Sequence, residues 1–196
     1  MDQLKAVEHF KRFMQEGLGL DLSDPNLSET PQRVAKMFCE ELLCNCSSEF
    51  DGFKTFPNDR GYDQIICSDI ISFVSLCAHH FLPFTGHAWI FYIPRDRLVG
   101  TSKMVRLVNH YSCRPQLQEN LAHDIAERFE SIIFPRGVMV FLRAIHGCMK
   151  CRGVKQQSGS GMMTSVVRGD FLDDVSLEQK GLAMVRISLL DRGQQW

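Results

Sequence analysis

The run Ile70-Ile71-Ser72-Phe73-Val74-Ser75-Leu76, followed after a short interval by Gly86-His87-Ala88-Trp89-Ile90-Phe91-Tyr92-Ile93, is rich in β-branched and aromatic residues. Such residues suit a pleated, half-buried surface, so both runs predict strands. Pro94-Arg95-Asp96-Arg97 closes the second. Upstream, Leu4, Val7, Phe10, Phe13, Met14 and Leu18 recur at helical spacing until Gly17 and Gly19. Thr30 reads as an N-cap and Pro31 as a first helical residue, opening a helix expected to reach about Cys44. Downstream, helices are expected from Ser102 to about Tyr111 and from Gln116 to about Phe134. The second carries Leu117, Leu121, Ile125, Phe129 and Ile132 on one stripe. Val138 to Ile145 reads as a third strand and Leu182 to Leu190 as a fourth. Grouped helices and strands predict an α+β fold with helices packed on an antiparallel sheet. The expected division is an N-terminal helical region, 1–60, and a catalytic domain, 61–196.

The chain has 196 residues, 44% hydrophobic and 23% charged, which are ordinary globular values and exclude a disordered chain, a collagen and a coiled coil. Its 22 basic and 23 acidic residues leave a net charge of -1. There is no global pull toward nucleic acid or an anionic membrane, so neither is expected as a partner, and any anion site must be local. No apolar stretch approaches membrane length, and Met1-Asp2-Gln3-Leu4-Lys5 lacks a signal-peptide core. A cytoplasmic location follows as an expectation. The eight cysteines are then thiols or metal ligands rather than disulfides. Cys39, Cys44, Cys67 and Cys113 are expected to be small buried hydrophobes.

The densest chemistry sits at two strand ends: Cys77-Ala78-His79-His80 after the first, and His146-Gly147-Cys148-Met149-Lys150-Cys151-Arg152-Gly153 after the third. C-x2-H spacing lets Cys77 and His80 reach one ion, and Cys148 can add a second thiolate, a set that suits tetrahedral zinc. With Cys151 as fourth ligand the site is closed and structural. Without it one position stays open and the site is catalytic. C-x2-C spacing favours the closed form. His79 and His146, each beside a proposed ligand, favour the open one, because imidazoles there can move protons. A zinc nucleobase deaminase would need H-x-E and P-C-x-x-C, and neither is present.

Anion-binding character is local. Gly100-Thr101-Ser102-Lys103-Met104-Val105-Arg106 opens a helix, with Ser102 expected as N-cap and Lys103 and Arg106 on one face. The Gly-rich run of a Walker loop is missing. Arg152 and Lys155 follow the second metal patch, and Arg33 and Lys36 share a face of an earlier helix. Any one of these pairs alone reads as a solvated face. Gln118 and Glu119 open the next helix. A Glu carboxylate there can accept two hydrogen bonds from the N1–H and 2-amino edge of guanine, although a solvent-facing Glu fits equally well.

Taken together, Thr30-Pro31-Gln32-Arg33-Val34-Ala35-Lys36-Met37, Leu76 through Gly86, Tyr92-Ile93-Pro94, Gly100-Thr101-Ser102-Lys103, Gln116-Leu117-Gln118-Glu119 and His146 through Val154 resemble the GTP cyclohydrolase I family, in the family's order. The resemblance implies a tunnelling fold: a four-stranded antiparallel sheet with two long helices on one side, plus N-terminal helices. It implies ring-shaped homo-oligomers, commonly decamers of two stacked pentamers, with active sites between subunits. It implies Zn2+ on Cys77, His80 and Cys148, the open site, with His79 and His146 as catalytic imidazoles. Gln118 and Glu119 would contact guanine and Ser102 the ribose. Lys103, Arg106 and Arg152 would hold the triphosphate, with Arg33 and Lys36 supplied by a neighbour.

The implied reaction is hydrolysis of the imidazole ring of GTP. Hydroxide generated at zinc adds to C8, C8 leaves as formate, and an Amadori rearrangement with ring closure gives 7,8-dihydroneopterin triphosphate, a precursor for folate and one-carbon metabolism. One position departs from the pattern: the family carries Glu where this chain has Ala78. The alternative implied is a catalytically impaired GTP- or pterin-binding homologue. Arg114-Pro115, Ala122 and Cys151 are smaller departures.

Overall fold

The structure, a computed structural model, describes residues 1–156 and 161–190. Its two compact units are Met1–Ser48 and Glu49–Trp196. In the first, α1 (Gln3–Arg12) begins where the Asp2 carboxylate accepts from Lys5 N–H, and a π-type turn, Phe13–Gly17, extends it. α2 (Thr30–Lys36) continues into a second such turn, Met37–Leu42. Phe10 and Phe38 stack at 5.7 Å between the helices. Thr30, expected as the N-cap, is instead the first helical residue; Glu29 holds the cap position without a side-chain cap hydrogen bond, and its carboxylate pairs with Arg33 at 2.6 Å.

The second unit is α+β. A two-stranded ribbon pairs β1 (Thr55–Pro57) with β5 (Arg97–Val99). The main sheet holds β2 (Ile66–Cys67), β3 (Ile71–Cys77), β4 (Pro83–Ile93), β6 (Pro115–Gln116), β7 (Gly137–His146) and β8 (Gly161–Gly169). Its order is β6-β3-β4-β7-β8, with β2 pairing β4. The four long strands are antiparallel, and β6 is parallel to β3.

β4 lies in the middle and buries both faces, which is why its sequence is almost continuously apolar. Ala88, Ile90 and Tyr92 face a core shared with α3 (Thr101–Ser112) and α4 (Gln118–Ile133). Trp89, Phe91 and Ile93 face the other side with Met139, Phe171 and Val185. Of the stripe read for α4, Leu121, Ile125 and Phe129 are buried, whereas Leu117 precedes the helix as its N-cap and Ile132 is only partly buried. The one-turn helices α5 (Gly147–Lys150) and α6 (Asp170–Asp173) cap strand ends.

Three further expectations are corrected. Leu182 to Leu190 is not a strand: it belongs to α7 (Val175–Leu190), whose Leu177, Gly181, Met184, Val185 and Leu189 recur at helical spacing. Gly181 makes this packing feasible, since a Cβ there would stand 3.0 Å from Met139 Sδ. The fourth long strand is β8, which alternates exposed Met163 and Ser165 with partly buried Met162, Thr164 and Val166. Ser102 is not an N-cap: Gly100 holds that position and the helix starts at Thr101. Cys44 is exposed, and Cys39, Cys67 and Cys113 are only partly buried.

Candidate metal centre and active site

Strand register brings the two chemical patches to one end of the sheet. β3 ends at Cys77, β4 starts at Pro83 opposite Leu76, and Phe84 pairs with His146, the last residue of β7. The loop between β3 and β4 is tight. Cys77 N–H donates to Leu82 O, Cys77 O accepts from the N–H groups of His80 and Phe81, and Phe81 takes φ 52°. That turn folds His80 back until its Nδ1 lies 3.6 Å from Cys77 Sγ. On the other strand, Gly147 lets α5 sit against the start of β4: a Cβ at Gly147 would stand 2.7 Å from Pro83 O. Cys148 follows directly.

The result is a cluster in which the ligand atoms of Cys77, His80 and Cys148 all lie within 4.8 Å of one another. Tetrahedral zinc with bonds of about 2.0–2.3 Å separates its ligands by roughly 3.3–3.8 Å. Two thiols and an imidazole at these spacings therefore fit a small cation after slight contraction. Burial and the adjoining Cys77 thiol raise the Cys148 pKa, with Arg152 pulling the other way. A bound cation would relieve that crowding of developing thiolates. Cys151 stands outside the cluster; it is exposed, and its Sγ donates to Gly147 O at 3.0 Å.

His146 is held by two neighbouring side chains. Its ring stacks on Phe84 at 4.6 Å with 2° between planes, and its Nε2 lies 2.9 Å from Gln118 Oε1. Burial lowers its pKa below the ordinary imidazole range, and the Glu119 carboxylate opposes the shift. Gln118 is 1% exposed, whereas Glu119, one residue along α4, is exposed. β6 delivers both to this end, because Gln116 pairs with Cys77 and its carbonyl accepts from Ala78 N–H. His79 and Ala78 are exposed in the turn, and the His79 ring lies 6.1 Å from that of His80. Arg152 is exposed two residues beyond α5.

Within the second unit, the sequence-predicted residues of α3 are not brought to this end. Ser102, Lys103 and Arg106 open α3 just after Val99, whose N–H donates to Tyr92 Oη. Tyr92 and Phe84 stand eight positions apart on β4, about 26 Å along an extended strand. Arg33 and Lys36 belong to the first unit, where they face Glu29 and Glu40 at 2.6 and 4.0 Å. Sequence reading assigned no role to Phe84 or Thr164, the groups that fix His146 and Gln118. Their partners depend on strand register, which no local pattern reveals.

Comparison with known proteins follows the same lines. The model of the GTP cyclohydrolase I family matches residues 6–186. A protein named GTP cyclohydrolase 1 from Hydrogenobaculum sp. is 39% identical over 95% of this chain and 99% of its own length. Another of that name, from Aquifex aeolicus, is 42% identical over 93% of this chain and 96% of its own. A solved structure, the archaeosine synthase QueF-Like in the apo form, aligns with a TM-score of 0.45 at 19% identity, over 54% of this chain and 94% of that one. No helix among the described residues is long and apolar enough to cross a membrane. The full-length match to family and relatives, with its cysteine and histidine motifs gathered at one sheet end, means that the chain belongs to the GTP cyclohydrolase I family.

Proposed function

We propose that this chain hydrolyses the imidazole ring of GTP, releases C8 as formate and yields 7,8-dihydroneopterin triphosphate. The observation that carries the reading is the convergence of Cys77, His80 and Cys148 beside His146, in a chain of this family. Zinc on the three ligands would supply a Lewis acid that makes water nucleophilic at neutral pH. His146, whose pKa burial lowers, takes and returns protons at the imidazole ring of the substrate. Exposed His79 serves the later proton transfers. Glu119 accepts from guanine N1–H and the 2-amino group, Ser102 contacts the ribose, and Lys103, Arg106 and Arg152 bind the triphosphate.

The separation of Lys103 and Arg106 from the metal cluster supports a site shared between copies. One copy presents the metal end and a neighbour the basic end of α3, within a homo-oligomeric ring, a decamer of two pentamers, built on the tunnelling fold. Arg33 and Lys36 are further triphosphate contacts from a neighbour.

A second reading comes from Ala78, a methyl group in the ligand-bearing turn where the family carries a carboxylate: a GTP- or pterin-binding homologue with impaired chemistry. Incubating the zinc-loaded chain with GTP separates the two. Formate and a pterin that fluoresces after oxidation, in equal amounts, support the enzyme. Normal GTP binding with neither product supports the impaired homologue.

A further inference from the structure

We propose that Gln118 is the positioning residue of His146, holding the imidazole in its Nε2–H tautomer so that Nδ1 is the nitrogen that exchanges protons with substrate. The inference rests on the reading of the site given above and assigns Gln118 a task other than guanine contact.

The hydrogen bonds leave one arrangement. Gln118 Nε2 lies 3.0 Å from Met162 O, 3.4 Å from Leu142 O and 3.2 Å from Thr164 Oγ1. The two carbonyl oxygens can only accept, so the NH2 side of the amide must face β7 and β8. That orientation follows from the network, independent of how amide oxygen and nitrogen are told apart. Gln118 Oε1 is thereby turned to His146 Nε2 at 2.9 Å, and an amide oxygen can only accept. His146 Nε2 must carry the hydrogen, and in the neutral ring Nδ1 is then the bare lone pair.

Two surfaces complete the constraint. The parallel Phe84 ring fixes the plane of the imidazole, and the Gln118 oxygen fixes which edge points where. Gln118, 1% exposed with its amide committed to three groups of the sheet, has no free edge to offer a purine. Glu119, exposed on the next position, does. The adjacent pair thus divides its work: one side chain faces inward to the catalytic imidazole, the other outward to the base.

The test is Gln118→Met, which keeps the bulk and removes the acceptor, read on the zinc-loaded chain. The expected result is a kcat for formate release about 10–100-fold lower with KM for GTP within twofold and zinc content unchanged. A KM raised tenfold or more with kcat retained would make Gln118 a guanine contact and overturn the proposal, as would no change in either constant. Because the variant can fail to fold, the unmodified zinc-loaded chain is also labelled with 15N-histidine and its tautomers read by solid-state NMR. The Nε2–H form at His146 is expected, and the Nδ1–H form overturns the proposal. If unmodified chain releases no formate, the reading of the site's activity fails, while the tautomer still decides the role of Gln118.

Discussion

Replacing Gly147 by alanine tests whether the approach of α5 to β4 is what assembles the ligand cluster. The new Cβ would stand 2.7 Å from Pro83 O; that oxygen is backbone and the Cβ position is set by the backbone, so neither atom can rotate away. An ordinary close C···O approach is about 3.3 Å, so the two segments must part by roughly 0.6 Å. Pro83 is paired with Leu76, the neighbour of Cys77, and Gly147 is the neighbour of Cys148. The displacement therefore falls between the two thiols, where metal–ligand distances tolerate only about 0.2 Å. Zinc affinity should drop about 10–100-fold, and overpacking should cost about 1–3 kcal/mol of stability. Competition with a chelating dye measures the first and denaturant melts the second. Met149→Ala, an exposed position in the same turn, is the control and should bind zinc normally. Unchanged zinc affinity and an unchanged melt for Gly147→Ala would refute the reasoning.

Ala78→Glu should raise turnover several-fold with zinc content and KM for GTP unchanged; steady-state kinetics on metal-matched samples checks this, and no gain would mean the pocket is shaped around alanine. Arg152→Ala should weaken GTP by roughly 1.5–3 kcal/mol while leaving guanosine nearly untouched, because only the triphosphate loses a charge-assisted contact; calorimetry with both ligands reads the difference. Burial pushes the Cys67 thiol from its ordinary 9.0 up to about 11. The folded chain thus holds a proton that the unfolded chain has released, so stability is full below about pH 9 and declines toward pH 11. Denaturant midpoints across that window should fall less steeply for Cys67→Ala than for the unmodified chain.

Local chemistry was legible wherever a residue's neighbours in sequence are also its neighbours in space. The strands β4 and β7 announce themselves because both faces are buried over most of their length and must be apolar, and β3 because its β-branched and aromatic residues bury one face. The ligand spacing of Cys77 and His80 is visible because one tight turn holds both. α7 was misread because its apolar residues are dense enough to hide the helical period that Leu177, Gly181, Val185 and Leu189 obey. β8 was missed because half of its faces are partly polar, and only its pairing with β7 makes it a strand. The burial of Gln118 had no local signal at all: its partners lie 24, 28, 44 and 46 residues away.

The length of β4 between Phe84 and Tyr92 has a genetic consequence. If metal chemistry and phosphate binding are done by opposite ends of the molecule, lesions at the two ends need not be equivalent in a mixed population. Chains carrying Cys148→Ala and chains carrying Lys103→Ala would each be inactive alone. Dissociated and reassembled together in equal amounts, about a quarter of the junctions would join one intact metal end to one intact basic end. Two dead alleles would then complement, whereas two alleles with lesions at the same end never would.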